Sequence, residues 1–417
     1  MKKKIAIIGV VVLALVAAFF GYRSYQAKQK EKYTVTFWSP LTGDDGAYMD
    51  QMVKDFNEQS NSDYTLKHVI TSDMYTKLST VVSSKKGIPD LTLMHSYKVE
   101  EFVNSDILDT VEAVQKLKDG LTAENYLQTA WNAGQVDGTQ YTIPLDIHSS
   151  AMYYNLDLLE KYNVTSWLDD NIVTYDEMMS LAGKMEEGDY IVNNALLSWV
   201  LLAQIHNLGG DISDDQGNPT VNTAEMKEAF EKTKALTEAG LMTPYGEDGY
   251  LMFQGGNVLL STDGTWTSTA HDAVEGLNWG ITNIYSTTDK MATNRAASHM
   301  FGLLKSEERT EEKEAVIADF LDYVRENSVE WAKAGQIVAS QEVLNSEEYK
   351  EYPQSFFTST PEEEKTLYIF DYVYFSYVLE ALDTYCMDIA YGELDLDEGL
   401  TTMQKFVEDK IAEVAKK

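Results

Sequence analysis

The sequence has a single cysteine, Cys386, in 417 residues. One thiol excludes an intramolecular disulfide framework and a thiolate metal cluster. Cys386 lies in an apolar helical stretch, which predicts a buried thiol without a chemical role. Apolar residues make up 44% of the chain and aromatic residues 11%, so the lack of disulfides does not indicate disorder.

The motifs of several catalytic sites are absent as well. No two glycines stand two positions apart, which removes the G-x-G of a dinucleotide loop, and neither a P-loop nor a G-x-S-x-G turn occurs. The six histidines are at least 27 residues apart, so the chain has no H-E-x-x-H zinc motif. Among 67 acidic residues, nothing selects a carboxylate pair for glycoside hydrolysis. We therefore expect no enzyme activity, no cofactor and no metal site.

The N-terminal segment differs from the rest of the chain in charge. Three lysines, Lys2–Lys4, precede an uncharged apolar run over residues 5–22, as in an export signal. The run has 18 residues, close to the roughly 20 that cross a bilayer, and no small-residue cleavage site follows it. We expect residues 1–32 to be an uncleaved signal anchor, with a cleaved signal peptide as the alternative. No cysteine follows the run, which excludes a lipoprotein.

The lysines also predict the orientation of the chain. They place the N-terminus in the cytoplasm and the body at the extracellular face of a bacterial cytoplasmic membrane. The first 32 residues hold seven basic residues and one acidic residue, so the body holds 26 basic and 66 acidic residues, a formal net charge of −40. Such a body repels nucleic acid and anionic lipid headgroups, and we expect no nucleic-acid partner.

Strand and helix patterns alternate from the start of this body. "YTVTFW" and "YTLKHVI" read as strands, the segments after each as helices, and "DLTLMHS" as a third strand. This alternation predicts an α/β fold with a parallel, doubly wound sheet. Ligands of such sheets bind at the carboxyl ends of the strands, which here are residues 38–45 and 94–97.

The later sequence adds two local features. "LLSTDGTWTSTA" places Trp266 among small and polar residues just after a strand pattern. "STPEEEK" predicts a helix start with Thr360 as the cap, Pro361 in the first turn and Glu363 three residues after the cap. A long aromatic-rich helix is expected to follow directly.

Five segments in order resemble the family 1 extracellular solute-binding proteins of ABC importers, which include the maltose-binding proteins. They are "VTFWSPLTGDDGAYMDQMVKDFNEQ", "GTQYTIPLDIHSSAMYYNLDLLEKYNV", "TYDEMM", "FQGGNVLLSTDGTW" and "DFLDYVRENSVEWAKAGQIVAS". The resemblance covers residue 33 to the end. It implies a two-lobe periplasmic-binding-protein-like fold with the ligand in a cleft between the lobes.

The resemblance also implies where the chain passes between the lobes. Crossings are expected near Leu145, near Ile284 and near Arg325. The first lobe would then comprise residues 33–145 and 284–324. The second would comprise residues 146–283 and 325–417.

Site residues follow from the resemblance position by position. Trp266 corresponds to a tryptophan that stacks on a sugar ring, a use that suits an indole because it buries the apolar face of the sugar. His148 stands where maltose-type relatives have an acidic contact, which argues against maltose itself. The full set of expected ligand-binding residues is Trp38, Asp44, Asp45, His95, Tyr97, Asp146, His148, Trp199, Asn207, Asp263, Trp266 and His299.

The sequence therefore predicts a monomeric substrate-binding component that captures a neutral sugar or oligosaccharide and delivers it to the membrane permease of an ABC transporter. Three alternatives stay open. One is a surface glycoside hydrolase, and another is an adhesin or receptor-type protein that has lost its permease. The third is a binding protein for a cationic ligand such as a polyamine, which the acidic body allows.

Overall fold

The computed structural model describes residues 33–288 and 293–414. The predicted signal anchor, residues 1–32, lies outside the described residues. Within them, none of the helices has the length and apolar character needed to span a bilayer.

The described part of the chain contains fifteen strands and seventeen α-helices. The strands are β1 Thr34–Ser39, β2 Thr65–Ile70, β3 Leu91–His95, β4 Leu108–Asp109, β5 Gln135–Val136, β6 Thr139–Gln140, β7 Thr142–Pro144, β8 Asp146–Asn155, β9 Tyr190–Val192, β10 Val258–Gly264, β11 Trp279–Thr282, β12 Asn294–Ala297, β13 His299–Leu304, β14 Ile337–Val338 and β15 Leu367–Tyr368. The helices are α1 Asp44–Gln59, α2 Met74–Ser84, α3 Val99–Asn104, α4 Glu112–Gln115, α5 Gln128–Asn132, α6 Leu156–Lys161, α7 Tyr175–Met179, α8 Leu197–Asn207, α9 Ala224–Glu238, α10 Gly249–Gln254, α11 Ser268–Asp272, α12 Glu311–Asn327, α13 Val329–Ala332, α14 Gln341–Leu344, α15 Pro361–Glu364, α16 Phe375–Ala390 and α17 Leu396–Val414.

The first lobe is built on a six-stranded sheet. Its order is β2-β1-β3-β13-β4, with β7 also paired to β13. In β1 every second side chain is buried, and β1 pairs in parallel with β2 and β3, as the strand-helix alternation predicted. The sheet as a whole is mixed, not parallel, because β13 returns from the other lobe and pairs antiparallel with β3, β4 and β7.

The second lobe has a seven-stranded mixed sheet around β8. Its order is β15-β12-β8-β10-β9, and β11 and β14 also pair with β8. Eight of the first nine residues of β8 are buried, as expected for a strand covered on both faces. The largest hydrophobic core of the molecule packs this sheet against α8, α9, α16 and α17.

Adjacent strands carry the chain from one sheet to the other. β7 belongs to the first sheet and β8 to the second, with Leu145 between them. β12 pairs with β8 and β13 with β3, so the chain returns at Ser298 and not near Ile284. β14 pairs with β8 again, which places the third passage between α12 and Ile337.

The start of the C-terminal region follows the predicted cap only in part. The Thr360 hydroxyl accepts a hydrogen bond from the Glu363 amide, and Pro361 occupies the first turn of α15. The helix ends after Glu364, however, and the long aromatic helix α16 begins only at Phe375. Between them β15 pairs with β12, because Leu367 and Tyr368 extend the larger sheet.

Candidate functional site

A buried carboxylate, Asp146, lies where the strands pass between the lobes. Its Oδ2 accepts hydrogen bonds from the Trp331 indole at 2.7 Å and from His299 Nδ1 at 2.8 Å, and its Oδ1 accepts the His299 amide at 2.9 Å. His148 Nδ1 lies 3.4 Å from Oδ1. Burial alone would raise the pKa of Asp146, but the His299 and His148 rings hold it below its ordinary value. Asp146 is therefore a charged anchor between β8, β13 and α13.

Three histidine rings converge beside this anchor. The ring centres of His148 and His299 are 4.3 Å apart, and that of His95 is 5.5 Å and 5.1 Å from them. Burial and the neighbouring His299 lower the pKa of His148 to about 4 and hold that of His95 well below its usual range. The pKa of His299 is raised, because the attraction of Asp146 outweighs burial. Two of the rings are thus neutral at pH 7 and can both donate and accept hydrogen bonds.

Among the described residues, these histidines are the group that could share a metal ion. Their donor atoms all lie within 4.8 Å of one another. Neutral imidazoles are good ligands for zinc-like ions. The same atoms serve equally well as hydrogen-bond partners for the hydroxyls of a bound solute.

Trp266 is held at the end of β10 by its surroundings. The chain leaves the strand at Gly264 and turns through a short 3₁₀ helix, Thr265–Thr267. A Cβ on Gly264 would lie 2.2 Å from the Trp266 indole, so only glycine allows the ring to fold back over the strand end. The Tyr153 hydroxyl donates to the carbonyls of Gly264 and Thr265, at 2.9 and 3.1 Å, and fixes the turn from below.

A second close approach supports the same turn from the other side. Gly335 has a φ of +80°, and a Cβ there would lie 2.4 Å from the Thr265 carbonyl oxygen. The loop after α13 therefore packs its bare backbone against the turn. The indole of Trp266 is half-buried and meets the rings of Trp199 and His148 edge-on, at 5.5 and 6.1 Å.

Arg295 stacks on the ring of Trp199. Its guanidinium carbon lies 3.5 Å from the centre of the Trp199 ring, 4.8 Å from that of Phe375 and 5.9 Å from that of Tyr97. Tyr97 comes from the first lobe and the other two rings from the second. One face of Trp199 is therefore covered by a cation and is not a free platform for a sugar ring.

The two lobes meet along this side of the site. The Tyr97 and Phe375 rings are 5.5 Å apart, and Lys98 Nζ donates to the Ser376 hydroxyl at 3.1 Å. A cavity of about 510 Å³ adjoins the contact, lined by Tyr97 and Glu100 on one side and by residues 367–372 on the other. A volume of this order suits a small ligand.

The structure brings seven of the twelve expected ligand-binding residues into one cluster around the rings described above. They are His95, Tyr97, Asp146, His148, Trp199, Trp266 and His299. Asp45 lies near enough to His299 to influence its pKa. The side chain of Asp44 lies outside the described part of the chain.

The remaining three expected residues lie apart from the cluster. Trp38 packs against the hydrophobic core between β3, α2 and α3. The pKa of Asp263 is raised to about 6 by burial, despite a hydrogen bond from the Gly264 amide and with Asp248 as its charged neighbour. The Asn207 amide is buried at the end of α8 without a hydrogen-bond partner among the described residues.

Four residues of the cluster were missed by sequence reasoning. Tyr75 contacts His95 through its hydroxyl, and Trp331 donates to Asp146. Arg295 stacks on Trp199, and Phe375 lies against Arg295. Each lies in an unremarkable helix or strand pattern. One signal could have drawn attention to Arg295. It lies four residues before His299, which was expected to bind the ligand, on the same extended segment.

The whole arrangement is that of a binding protein with two mixed α/β lobes and an aromatic, hydrogen-bonding site at their junction. The family of bacterial extracellular solute-binding proteins matches residues 51–358, more than half of the chain, and the protein belongs to this family. The resemblance seen in the sequence is thereby confirmed. Because the family consists of binding proteins, the expectation that the chain is not an enzyme is confirmed as well.

Individual relatives are distant. An arabinooligosaccharide-binding protein of Halalkalibacterium halodurans is 24% identical over 207 residues, which are 46% of this chain and 44% of that protein. The chain thus aligns with less than half the length of this curated relative. The cyclic α-maltosyl-1,6-maltose binding protein of Arthrobacter globiformis has a TM-score of 0.71 at 19% identity, covering 90% of this chain and 97% of that one. The GacH receptor of Streptomyces glaucescens, solved with acarbose, has a TM-score of 0.74 at 17% identity over 90% and 98% of the chains. These structures establish the two-lobe fold.

Proposed function

We propose that this protein is the substrate-binding component of an ABC importer, which captures a saccharide between its lobes and delivers it to a membrane permease. The observation that carries the proposal is the fixed position of Trp266. An indole held half-exposed by Gly264, Tyr153 and Gly335 at the junction of the lobes offers an apolar surface that matches the C–H face of a sugar ring.

The polar groups around Trp266 support the same ligand class. Buried hydroxyls of a sugar must be hydrogen-bonded, and neutral His95 and His148 can serve as donor or acceptor. The ligands of the three relatives described above, arabinooligosaccharide, a cyclic maltosyl-maltose and acarbose, are all saccharides. Binding is proposed to involve Asp45, Tyr97 and His299 in addition.

The pairing of the strands supports a division into two lobes with revised borders. The first lobe would comprise residues 33–145 and 299–327, and the second residues 146–297 and 337–414. Hinge motion at the passages would close the lobes on the ligand. We further propose that the chain acts as a monomer and that residues 1–32 anchor it to the outer face of the cytoplasmic membrane.

A thermal-shift screen of the purified full-length protein tests the ligand class. Ligands that bind the native state raise the melting temperature by mass action. We expect at least one mono- or oligosaccharide to raise it, and polyamines to leave it unchanged. Stabilisation by a polyamine and by no saccharide would overturn the proposal in favour of a cationic ligand. Chromatography of the incubated oligosaccharides should show no hydrolysis, since a product would support the glycoside hydrolase alternative.

Intact-mass measurement on the protein in its host membrane fraction tests the anchor. We expect residues 1–32 to remain attached. A secreted species that begins between residues 22 and 35 would instead show cleavage of the segment.

A further inference from the structure

Among the described residues, Arg295 is a deeply buried cation that forms no ion pair. Arg295 lies on β12 and is 1% exposed, and its guanidinium is surrounded by the rings of Trp199, Phe375 and Tyr97. The other two arginines in the described residues each form ion pairs, Arg309 with Asp109 and Glu314 and Arg325 with three carboxylates. No described carboxylate lies within ion-pair distance of Arg295.

The hydrogen-bonding groups of Arg295 are also unused. Its Nε and Nη1 atoms are buried and have no partner in the described structure. The neighbouring rings stabilise the charge across the face of the guanidinium, but the N–H groups lie in its plane and need acceptors there. Burial lowers the pKa of Arg295 to about 9, so the group still carries its proton at neutral pH. A buried charge without a partner destabilises the folded protein, and proteins rarely retain one without a use for it.

The position of Arg295 indicates what that use is. Trp199, which stacks on the guanidinium, also contacts Trp266 and His148 at the centre of the proposed solute site. The other ionisable groups of this site offer no charge to pair with Arg295. Asp146 already accepts hydrogen bonds from His299 and Trp331, and His95 and His148 are neutral. Asp383 lies within electrostatic range of Arg295 but forms no ion pair with it.

We infer that Arg295 forms a subsite for an anionic group on the solute, a carboxylate or a phosphate, in a chain whose body is otherwise strongly acidic. The inference rests on the proposed function, since the anion is the charged part of a saccharide bound at Trp266. The planar fork of an arginine matches both groups through two parallel N–H···O bonds. The solute class is therefore an acidic saccharide, either a uronic acid or a sugar phosphate, in place of the neutral sugar expected from the sequence.

Matched disaccharide triplets provide the test. Each triplet contains a neutral disaccharide, its 6-carboxylate and its 6-phosphate, in the gluco and galacto series, and binding is measured by thermal shift and calorimetry on the full-length protein. We expect one acidic member to bind at least about thirtyfold more tightly than its neutral counterpart, as for a desolvated charge pair. The carboxylate and phosphate arms distinguish the two sources of charge.

Two variants separate a binding role from a packing role. Arg295→Met fills a similar volume without charge, and we expect it to lose the preference for the acidic member while melting at an equal or higher temperature than wild type without ligand. Arg295→Lys keeps the charge without the fork and should retain only part of the preference.

The outcomes are distinct for the inference and for the proposed function. Equal binding of neutral and acidic members by wild type would overturn the inference and leave the proposed function standing. So would a marked fall in the melting temperature of unliganded Arg295→Met with an unchanged preference, since Arg295 would then serve packing alone. If neither these triplets nor any other saccharide binds, the proposed function fails and the inference falls with it.

Discussion

Two buried charges of opposite sign, Asp146 and Arg295, lie on neighbouring strands of the second lobe and differ in every contact. Asp146 is fully buried and accepts three hydrogen bonds from His299 and Trp331. Arg295 is as deeply buried, yet aromatic rings are its neighbours and two of its nitrogen atoms have no partner. The first charge is satisfied by the protein itself, and the second is not.

The difference suggests separate roles for the two charges within one site: Asp146 stabilises the fold, and Arg295 binds the solute. A charge with internal partners stabilises the fold around it, and its removal leaves those partners unsatisfied. A charge without partners weakens the free protein and is satisfied only when something binds. The two strands β8 and β12 are adjacent, so the passage between the lobes and the proposed ligand contact are built side by side on one sheet.

Removal of Asp146 should have the largest effect on stability. Asp146→Ala leaves His299 with a buried imidazole and Trp331 with a buried indole N–H, both without their acceptor. We expect a loss of about 3–5 kcal/mol in the free energy of unfolding, as for other broken buried charge pairs. Denaturant melts of the unliganded protein measure it. A loss below about 1 kcal/mol would show that the comparison with Arg295 is wrong.

Trp266 should respond in the opposite way, through affinity. If it stacks on a sugar ring, Trp266→Ala should weaken binding by about 1–4 kcal/mol, or about fivefold to several hundredfold in Kd. Trp266→Phe should recover part of this loss. Because the indole is half-buried, unliganded stability should fall by less than the roughly 3–5 kcal/mol of a core tryptophan.

Trp38 offers a matched control for this measurement. It packs against the core of the first lobe, so Trp38→Ala should reduce stability while leaving affinity nearly unchanged. Calorimetry with the best ligand and denaturant melts without ligand are run on both variants. If Trp266→Ala lost stability and kept its affinity, Trp266 would be a core residue and not a ligand contact.

The sequence predicted the parts of this molecule that depend on local pattern. Alternation of strands and helices gave β1 to β3 in their parallel order, and the resemblance pointed to Trp266 and to the three histidines that meet in the structure. Arg295 and Phe375 could not be found in this way, because they are 80 residues apart in sequence and meet only after the lobes have folded. The pairing of β12 with β8 could not be predicted for the same reason, since it links residues far apart in the chain.

A second buried carboxylate, Asp263, can be compared with Asp146 through the pH dependence of stability. Burial raises its pKa to about 6, and its hydrogen-bond donor among the described residues is the amide of Gly264. Between about pH 4 and pH 6 the unfolded chain has lost this proton and the folded chain still holds it, so the contribution of Asp263 to stability falls as the pH rises through that window. Asp263→Asn removes the charge and keeps an acceptor.

We therefore expect unliganded Asp263→Asn to be more stable than wild type at pH 7, by about 3 kcal/mol, and equal to it at pH 4. Melts at the two pH values measure the difference. Asp146→Asn should show the opposite dependence, because the pKa of Asp146 is lowered in the folded state and its charge stabilises the protein at neutral pH. A loss of stability in Asp263→Asn at pH 7 would place Asp263 with Asp146, among the charges that the protein satisfies internally.

The smallest expected effect comes from the support beneath Trp266. Tyr153→Phe removes one hydroxyl that donates to the carbonyls of Gly264 and Thr265. We expect a loss of about 1 kcal/mol in stability and, because the turn carries Trp266, a rise of about three- to fivefold in Kd. Its neighbour on β8 is the control, since the Tyr154 hydroxyl has no hydrogen-bond partner among the described residues and Tyr154→Phe should change neither quantity.

Calorimetry and melts on the two variants decide between two roles for Tyr153. If Tyr153→Phe is less stable but binds as tightly as wild type, the hydroxyl holds the strand end and the indole is positioned by Gly264 and Gly335 alone. If affinity and stability fall together, the buried tyrosine links the packing of the second lobe to the surface that receives the solute.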